Sequence, residues 1–158
     1  MTTCEKQLVR QSFEVIRSEA GPLSLLFYGR LFELDPRLRP MFHGDIRRQG
    51  LKLMQMIAAA VEGLDDLEAL TPVLHALGQR HVSYGVVAQH YDLVAQALVW
   101  ALTQALEALP DSDVISAWRT LIGEVSARML EGADLIVSPS EAVLGRPADS
   151  TQTRGRLE

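Results

Sequence analysis

The stretch LGQRHVSYGV, residues 77–86, places His81 at the end of a helical segment with Leu77, Val82 and Val86 around it. An imidazole on an apolar face needs a partner, which can be a protein group, water or a metal. At 100° per residue Leu74 and Leu77 fall on the His81 side of the helix, whereas His75 lies about 120° away and is expected in solvent. His43, beside a glycine, and His90, between Gln89 and Tyr91, have the setting of surface or capping residues. No Glu or second His stands four residues from His81, which argues against zinc held by three or four protein ligands.

A lone protein ligand suits a metal that brings most of its own coordination, as haem iron does. A hydrogen-bonded core histidine explains the same residues without any metal. Haem would further require an apolar slot between helices, an aromatic wedge and a helix facing the open side of the iron. Gln49 interrupts the apolar stripe of a long helical segment, with Leu53 one turn later on nearly the same bearing, and Phe42 precedes Gln49 by seven residues. Taken singly, Gln49 has the alternative of a boundary residue and Phe42 that of ordinary core.

These residues need helices to position them, and helical periodicity dominates the chain. The pattern predicts a first helix from about Thr3 to Ala20, with Leu8, Phe13 or Ser12, Val15 and Ile16 inward, and a second from Pro22 to about Leu34. Asp35-Pro36 opens a short turn that Pro40 should stop, and Asp45 caps a long helix from about Ile46 to Gly63, inward at Ile46, Gln49, Leu53 and Ile57. Leu64 to Leu70 is expected as a connector, and Thr71 as the cap of the His81 helix, with Pro72 at its first position. A further helix is predicted from about Ala88 to Leu109, and a last one, capped by Asp111 or Ser112, to about Glu131. No period-2 run suggests a strand. Periodicity is lost from Ser138, so the division expected is one domain over 1–137 and a flexible tail or linker over 138–158.

A chain of 158 residues can enclose a small-molecule pocket. Its net charge of −5 gives no overall attraction to nucleic acid or an anionic membrane. No apolar run approaches the ~20 residues of a membrane span. The single Cys4 excludes an internal disulfide, and with no signal peptide in MTTCEKQLVR a cytoplasmic location is expected.

The segments LLFYGRLFELDPRLRPMF, QGLKLM, LDDLEALTPVLHALGQRHVSYGV and HYDLVAQAL, in this order and spacing, resemble the globin family. They are most similar to single-domain bacterial haemoglobins related to flavohaemoglobins and to neuroglobin, over about Thr3 to Leu130. The resemblance implies an all-α globin fold of about seven helices around haem b. By it, His81 is the proximal iron ligand, Phe42 the corner aromatic on the haem, Gln49 and Tyr28 the distal residues, and Leu53 a residue crowding the iron. Phe32 would support the pocket, Leu77, Val82, Val86 and Val94 would wall it, and Lys52 would meet a propionate or remain solvated.

The resemblance further implies reversible binding of O2, CO and NO. Bound O2 carries partial negative charge, so hydrogen bonds from Tyr28 and Gln49 would hold it tightly. It also raises conversion of NO to nitrate, a catalytic role for Tyr28, Gln49 and Tyr91, with an external reductase because no flavin or nicotinamide domain is present. In flavohaemoglobins a tyrosine and a glutamate reinforce the proximal histidine. Tyr91 matches the tyrosine, but counting from Trp118 puts the glutamate's place on Leu135, with Glu131 one turn earlier. A gas or redox sensor module of a larger signalling protein is the alternative function. A monomer or weak homodimer, without nucleic-acid or membrane partners, is the expected state.

Overall fold

The structure is a computed structural model that describes residues 1–18 and 20–144. It is all-helical among these residues, as expected: α1 (Thr3–Arg17), α2 (Ala20–Leu34), α3 (Ile46–Glu62), α4 (Thr71–Ser83), α5 (Ala88–Ala105) and α6 (Asp113–Leu144), with two short 3₁₀ segments, Pro36–Met41 and Leu67–Leu70. No helix among the described residues is long and apolar enough to cross a membrane.

Local chemistry sets most of the helix starts. Thr2 and Glu5 form a capping box, in which Thr2 Oγ1 accepts from the Glu5 N–H at 3.1 Å and Glu5 Oε2 from the Thr2 N–H at 2.7 Å. Asp45 caps α3 by accepting from the Arg47 N–H at 2.9 Å. The α1 stripe is turned slightly from the expected one: Val9, Ser12, Phe13 and Ile16 are buried, and Val15 is exposed. Polar pairing explains Ser12, whose Oγ accepts from the Trp118 Nε1–H at 2.9 Å and ties α1 to α6 in the core.

Other starts and stops differ from the sequence reading, each for a physical reason. The 3₁₀ segment runs through Pro40 to Met41: proline gives up one bond there, and the bonds on either side, Leu38 N–H to the Asp35 carbonyl and Phe42 N–H to the Arg39 carbonyl, both at 3.1 Å, carry the turn. Half of the expected connector is the second 3₁₀ segment, capped when Asp66 accepts from the Ala69 N–H at 3.2 Å. Thr71 is no cap: it lies inside α4, and its hydroxyl accepts from Arg128 Nε at 3.3 Å across to α6. Before α6, Ser112 offers its backbone carbonyl to Ser116, while its hydroxyl donates back to the Leu109 carbonyl.

Helix α5 ends four residues before Leu109, in a Schellman closure: the Ala108 N–H bonds the Thr103 carbonyl and the Glu107 N–H the Gln104 carbonyl. Glu107 sits there at φ 49°, where glycine is the usual occupant, so the sequence carried no stop signal. Helix α6 continues past Glu131 and through Ser138 to Leu144, beyond the expected start of the tail; positions 145–158 lie outside the described residues.

The core joins Leu23, Phe27 and Leu31 of α2, Met54 and Ile57 of α3, Ala97, Ala101 and Leu102 of α5, and Ile115, Trp118 and Leu121 of α6. Replacing Glu107 by Gly is expected to relieve the left-handed strain and raise stability by about 0.5–1 kcal/mol. Chemical denaturation of the two proteins measures this, and an unchanged or lower midpoint contradicts it.

Candidate functional site

His81 is held from two directions. Its Nδ1 lies 2.7 Å from the Leu77 carbonyl oxygen one turn earlier. A carbonyl can only accept, so Nδ1 carries the proton and Nε2 is left as a lone pair. Nε2 has no hydrogen-bond partner among the described residues. The His81 backbone carbonyl accepts from Val86 N–H at 3.1 Å, the long bond of a second Schellman closure whose left-handed residue is Gly85, at φ 85°. Helix α4 therefore stops just beyond the imidazole. Burial keeps the ring below the usual histidine range, and the Arg80 charge adds to this, while the bond to Leu77 opposes it.

A second group forms on α2, the first 3₁₀ segment and α3. Tyr28 is buried among three rings, with centroids 4.9 Å from Phe27, 6.1 Å from Phe32 and 5.4 Å from Phe42. Its hydroxyl has no hydrogen-bond partner among the described residues, and burial pushes its pKa up to about 12, so it stays a donor at neutral pH. Gln49, half-buried on α3, likewise has an amide without a partner there. Gly50, next to Gln49 in the chain, faces Ser24 and Tyr28 of α2. A Cβ at Gly50 would stand 2.7 Å from Ser24 Oγ and 4.0 Å from Tyr28 Cε2, so α3 crosses α2 closely at this point.

The two groups share no hydrogen bond or ring contact among the described residues. The apolar side chains of both are only partly covered: Phe42, Leu53 and Val94 pack on the core yet remain half-buried, as do Leu77, Val82 and Val86. Lys52 is exposed and has no carboxylate partner among the described residues. A lone-pair nitrogen in one group and free donors in the other are a donor set that fits a flat iron-porphyrin. Among the described residues no three His, Cys, Asp or Glu side chains gather as a metal site, so a metal here would have His81 as its single protein ligand.

Several expected placements change. His75 is half-buried rather than fully in solvent; its Nε2 lies 3.2 Å from Glu131 Oε2, between α4 and α6. His43 is exposed, and His90 caps α5 by accepting from the Val87 N–H at 3.0 Å. Tyr91 Oη is buried with no hydrogen bond, so it reaches neither His81 nor a carboxylate. Leu135, at the place of the expected glutamate, is 58% exposed. A cleft of about 320 Å³ lies beside the end of α4, and Tyr91 and Asp134 line it with Val82, Val86 and Leu130.

Sequence reading missed the seam that carries α4. A Cβ on Gly78 would run into the Met129 carbonyl, and one on Gly132 into the His75 backbone. Isolated glycines inside helical patterns were the available signal.

Against this geometry stand the comparisons with known proteins. The family model described as Globin matches residues 25–129. The chain belongs to the globin family. It is 30% identical to the neuroglobin of Tetraodon nigroviridis over 84% of this chain and 92% of that one. It is 29% identical to the flavohemoprotein of Bordetella parapertussis over 90% of this chain, which spans only 35% of that protein. Among solved structures, a bacterial globin from Campylobacter jejuni has a TM-score of 0.76 at 22% identity, covering 87% of this chain and 99% of its own. An engineered carbene transferase, a candidate nitric oxide dioxygenase of Rhodothermus marinus, also scores 0.76, at 25% identity over 92% of this globin and 99% of its own chain.

Two outcomes follow for the apo globin. Gly78→Ala should cost about 3 kcal/mol, since a backbone carbonyl cannot swing aside as a side-chain end can; urea unfolding with no loss would show that α4 is not seated by this contact. Because His81 has a lowered pKa in the fold, the unfolded chain binds more protons below pH ~6.5, and stability falls as pH drops through that value. A His81→Gln variant should show a shallower acid-side slope in thermal melts, and an identical slope would contradict this origin.

Proposed function

We propose that this globin holds haem b through His81 and binds O2 tightly, with CO and NO as further ligands. What supports it is the combination of a tautomer-locked His81 with a free Nε2 and the unpartnered hydroxyl of the buried Tyr28. Haem iron supplies, when bound, the position that takes a diatomic molecule and shifts negative charge onto it. Phe42, Leu53, Leu77, Val82, Val86 and Val94 would exclude water around the macrocycle, and Lys52 would meet a propionate. Tyr28 keeps its proton at Oη, and Gln49 offers its amide N–H, so both donate toward developing negative charge. Each such bond is worth ~1–3 kcal/mol in a dry site, roughly ten- to hundredfold in release rate.

Conversion of O2 and NO to nitrate is a secondary activity on this reading, drawing one electron per turn from a separate reductase. The names of the flavohemoprotein relatives and of the Rhodothermus protein support it. The proximal side favours holding over activating: Tyr91 has no carboxylate partner and Glu131 is engaged by His75. The cytoplasm, with an electron donor at hand, is the compartment this chemistry suits.

Absorption spectra of the ferric, deoxy and CO forms test the ligand assignment. His81→Ala should lose the wild-type Soret positions, and retaining them would overturn His81 as ligand. Tyr28→Phe should speed O2 dissociation at least ~tenfold in stopped-flow measurements; an unchanged rate would remove Tyr28 from the role.

A further inference from the structure

Charge on this chain is sorted rather than mixed. Within residues 35–52, Arg37, Arg39, Arg47, Arg48 and Lys52 stand against Asp35 and Asp45, a net +3 in a chain of net −5, so the remainder carries −8. Asp35 is engaged by Arg37 at 2.9 Å, and Asp45 accepts from the Arg47 backbone. Arg39, Arg47, Arg48 and Lys52 are exposed and meet no carboxylate among the described residues.

Local stability does not explain this cluster. Arg47 and Arg48 occupy the first turn of α3, which holds no acidic residue, so both charges oppose the helix dipole. Arg48 and Lys52 are one turn apart on one face, and Leu51, 64% exposed, lies beside them. The patch also joins the site. The Arg39 guanidinium stacks over the Phe32 ring at 5.5 Å, Phe32 is 5.5 Å from Phe42, and Phe42 is 5.4 Å from Tyr28.

We propose that Arg39, Arg47, Arg48 and Lys52 form the docking surface for a small acidic redox protein that delivers one electron to the haem. The delivery rests on the haem reading above; the surface itself rests only on the charges. The donor's reduced flavin loses one electron and ferric iron gains it, and no other group changes. An acidic partner is repelled by the −8 remainder and steered to this patch, which orients it toward the aromatic cluster. Duplex nucleic acid fits less well, since four free cations neutralise few phosphates and the rest of the surface repels them. A bilayer fits less well because one exposed leucine offers little apolar insertion.

The test uses Arg47→Glu/Arg48→Glu, which suits the helix dipole and so should melt no lower than the wild type. Calorimetric titration with oxidised flavodoxin, an acidic probe, reads the surface without electron transfer. Wild-type affinity should fall between about 20 and 200 mM salt, and the double variant should bind about tenfold more weakly. Reduction of the ferric CO-saturated globin by reduced flavodoxin should slow about tenfold in the variant, and reduction by dithionite should not change. Equal flavodoxin affinity of both proteins, or none in the wild type, overturns the proposal. So does a variant that keeps flavodoxin affinity but loses binding to a duplex oligonucleotide or to phosphatidylserine vesicles. A globin without a Soret band overturns the haem reading, and the titration still judges the surface.

Discussion

The hydrogen bond from His81 Nδ1 to the Leu77 carbonyl is the constraint on which the rest of the structure depends. It decides which nitrogen carries the proton, and thereby which nitrogen can serve a metal. The bond exists only where Leu77 and His81 are four residues apart on an unbroken helix, so α4 must stay helical through position 81. The chain must also turn immediately afterwards, or the following residues would extend the helix past the ring. Gly85 provides that turn, and its closure anchors the His81 carbonyl as well. Side chain and backbone of one residue are thus fixed by Leu77, four positions before it, and Val86, five positions after it.

A fixed imidazole is useful only if its helix has a fixed seat. That seat is α6, against which α4 packs with glycine on both surfaces, Gly78 on one and Gly132 on the other. The pairs of Thr71 with Arg128 and His75 with Glu131 run across the same seam. On the opposite side, Gly50 brings α3 against Ser24 and Tyr28 of α2. Small residues, contributing no chemistry of their own, therefore determine the separation of the groups that do.

The helices were legible because each buries a stripe against its neighbours, and a stripe is written in the spacing of apolar residues. Asp45 was legible because capping needs a particular side chain at a particular place. The end of α5 was not, because Glu107 takes the left-handed position that glycine advertises elsewhere. Thr71 misled for a related reason: a hydroxyl beside proline has the composition of a cap, and only the position of Arg128 shows that it is used otherwise. His75 and Glu131 are 56 residues apart, and nothing local in either segment announces the pair. Tyr28 illustrates the division within the site. Its type and place were visible in the sequence, but the lack of a partner for its hydroxyl is a property of packing alone.

On the proposed haem reading, the Tyr28 and His81 groups are provisioned unequally, and that inequality bears on what the protein would do with a ligand. In the Tyr28 group two neutral donors, Tyr28 and Gln49, are free of internal partners, so their full capacity remains for whatever negative charge arrives. In the His81 group the imidazole donates only to a backbone carbonyl, a weaker acceptor than a carboxylate, and the buried Tyr91 hydroxyl has no hydrogen-bond partner among the described residues. A carboxylate at Nδ1 would draw the proton and raise electron donation through Nε2; a carbonyl does so far less. Strong donors facing the ligand and modest push behind the metal stabilise a polarised diatomic more than they help to cleave it. This ordering follows from which oxygens meet which nitrogens. On the proposed haem reading, it would make retention of O2 the property that this arrangement of side chains serves best.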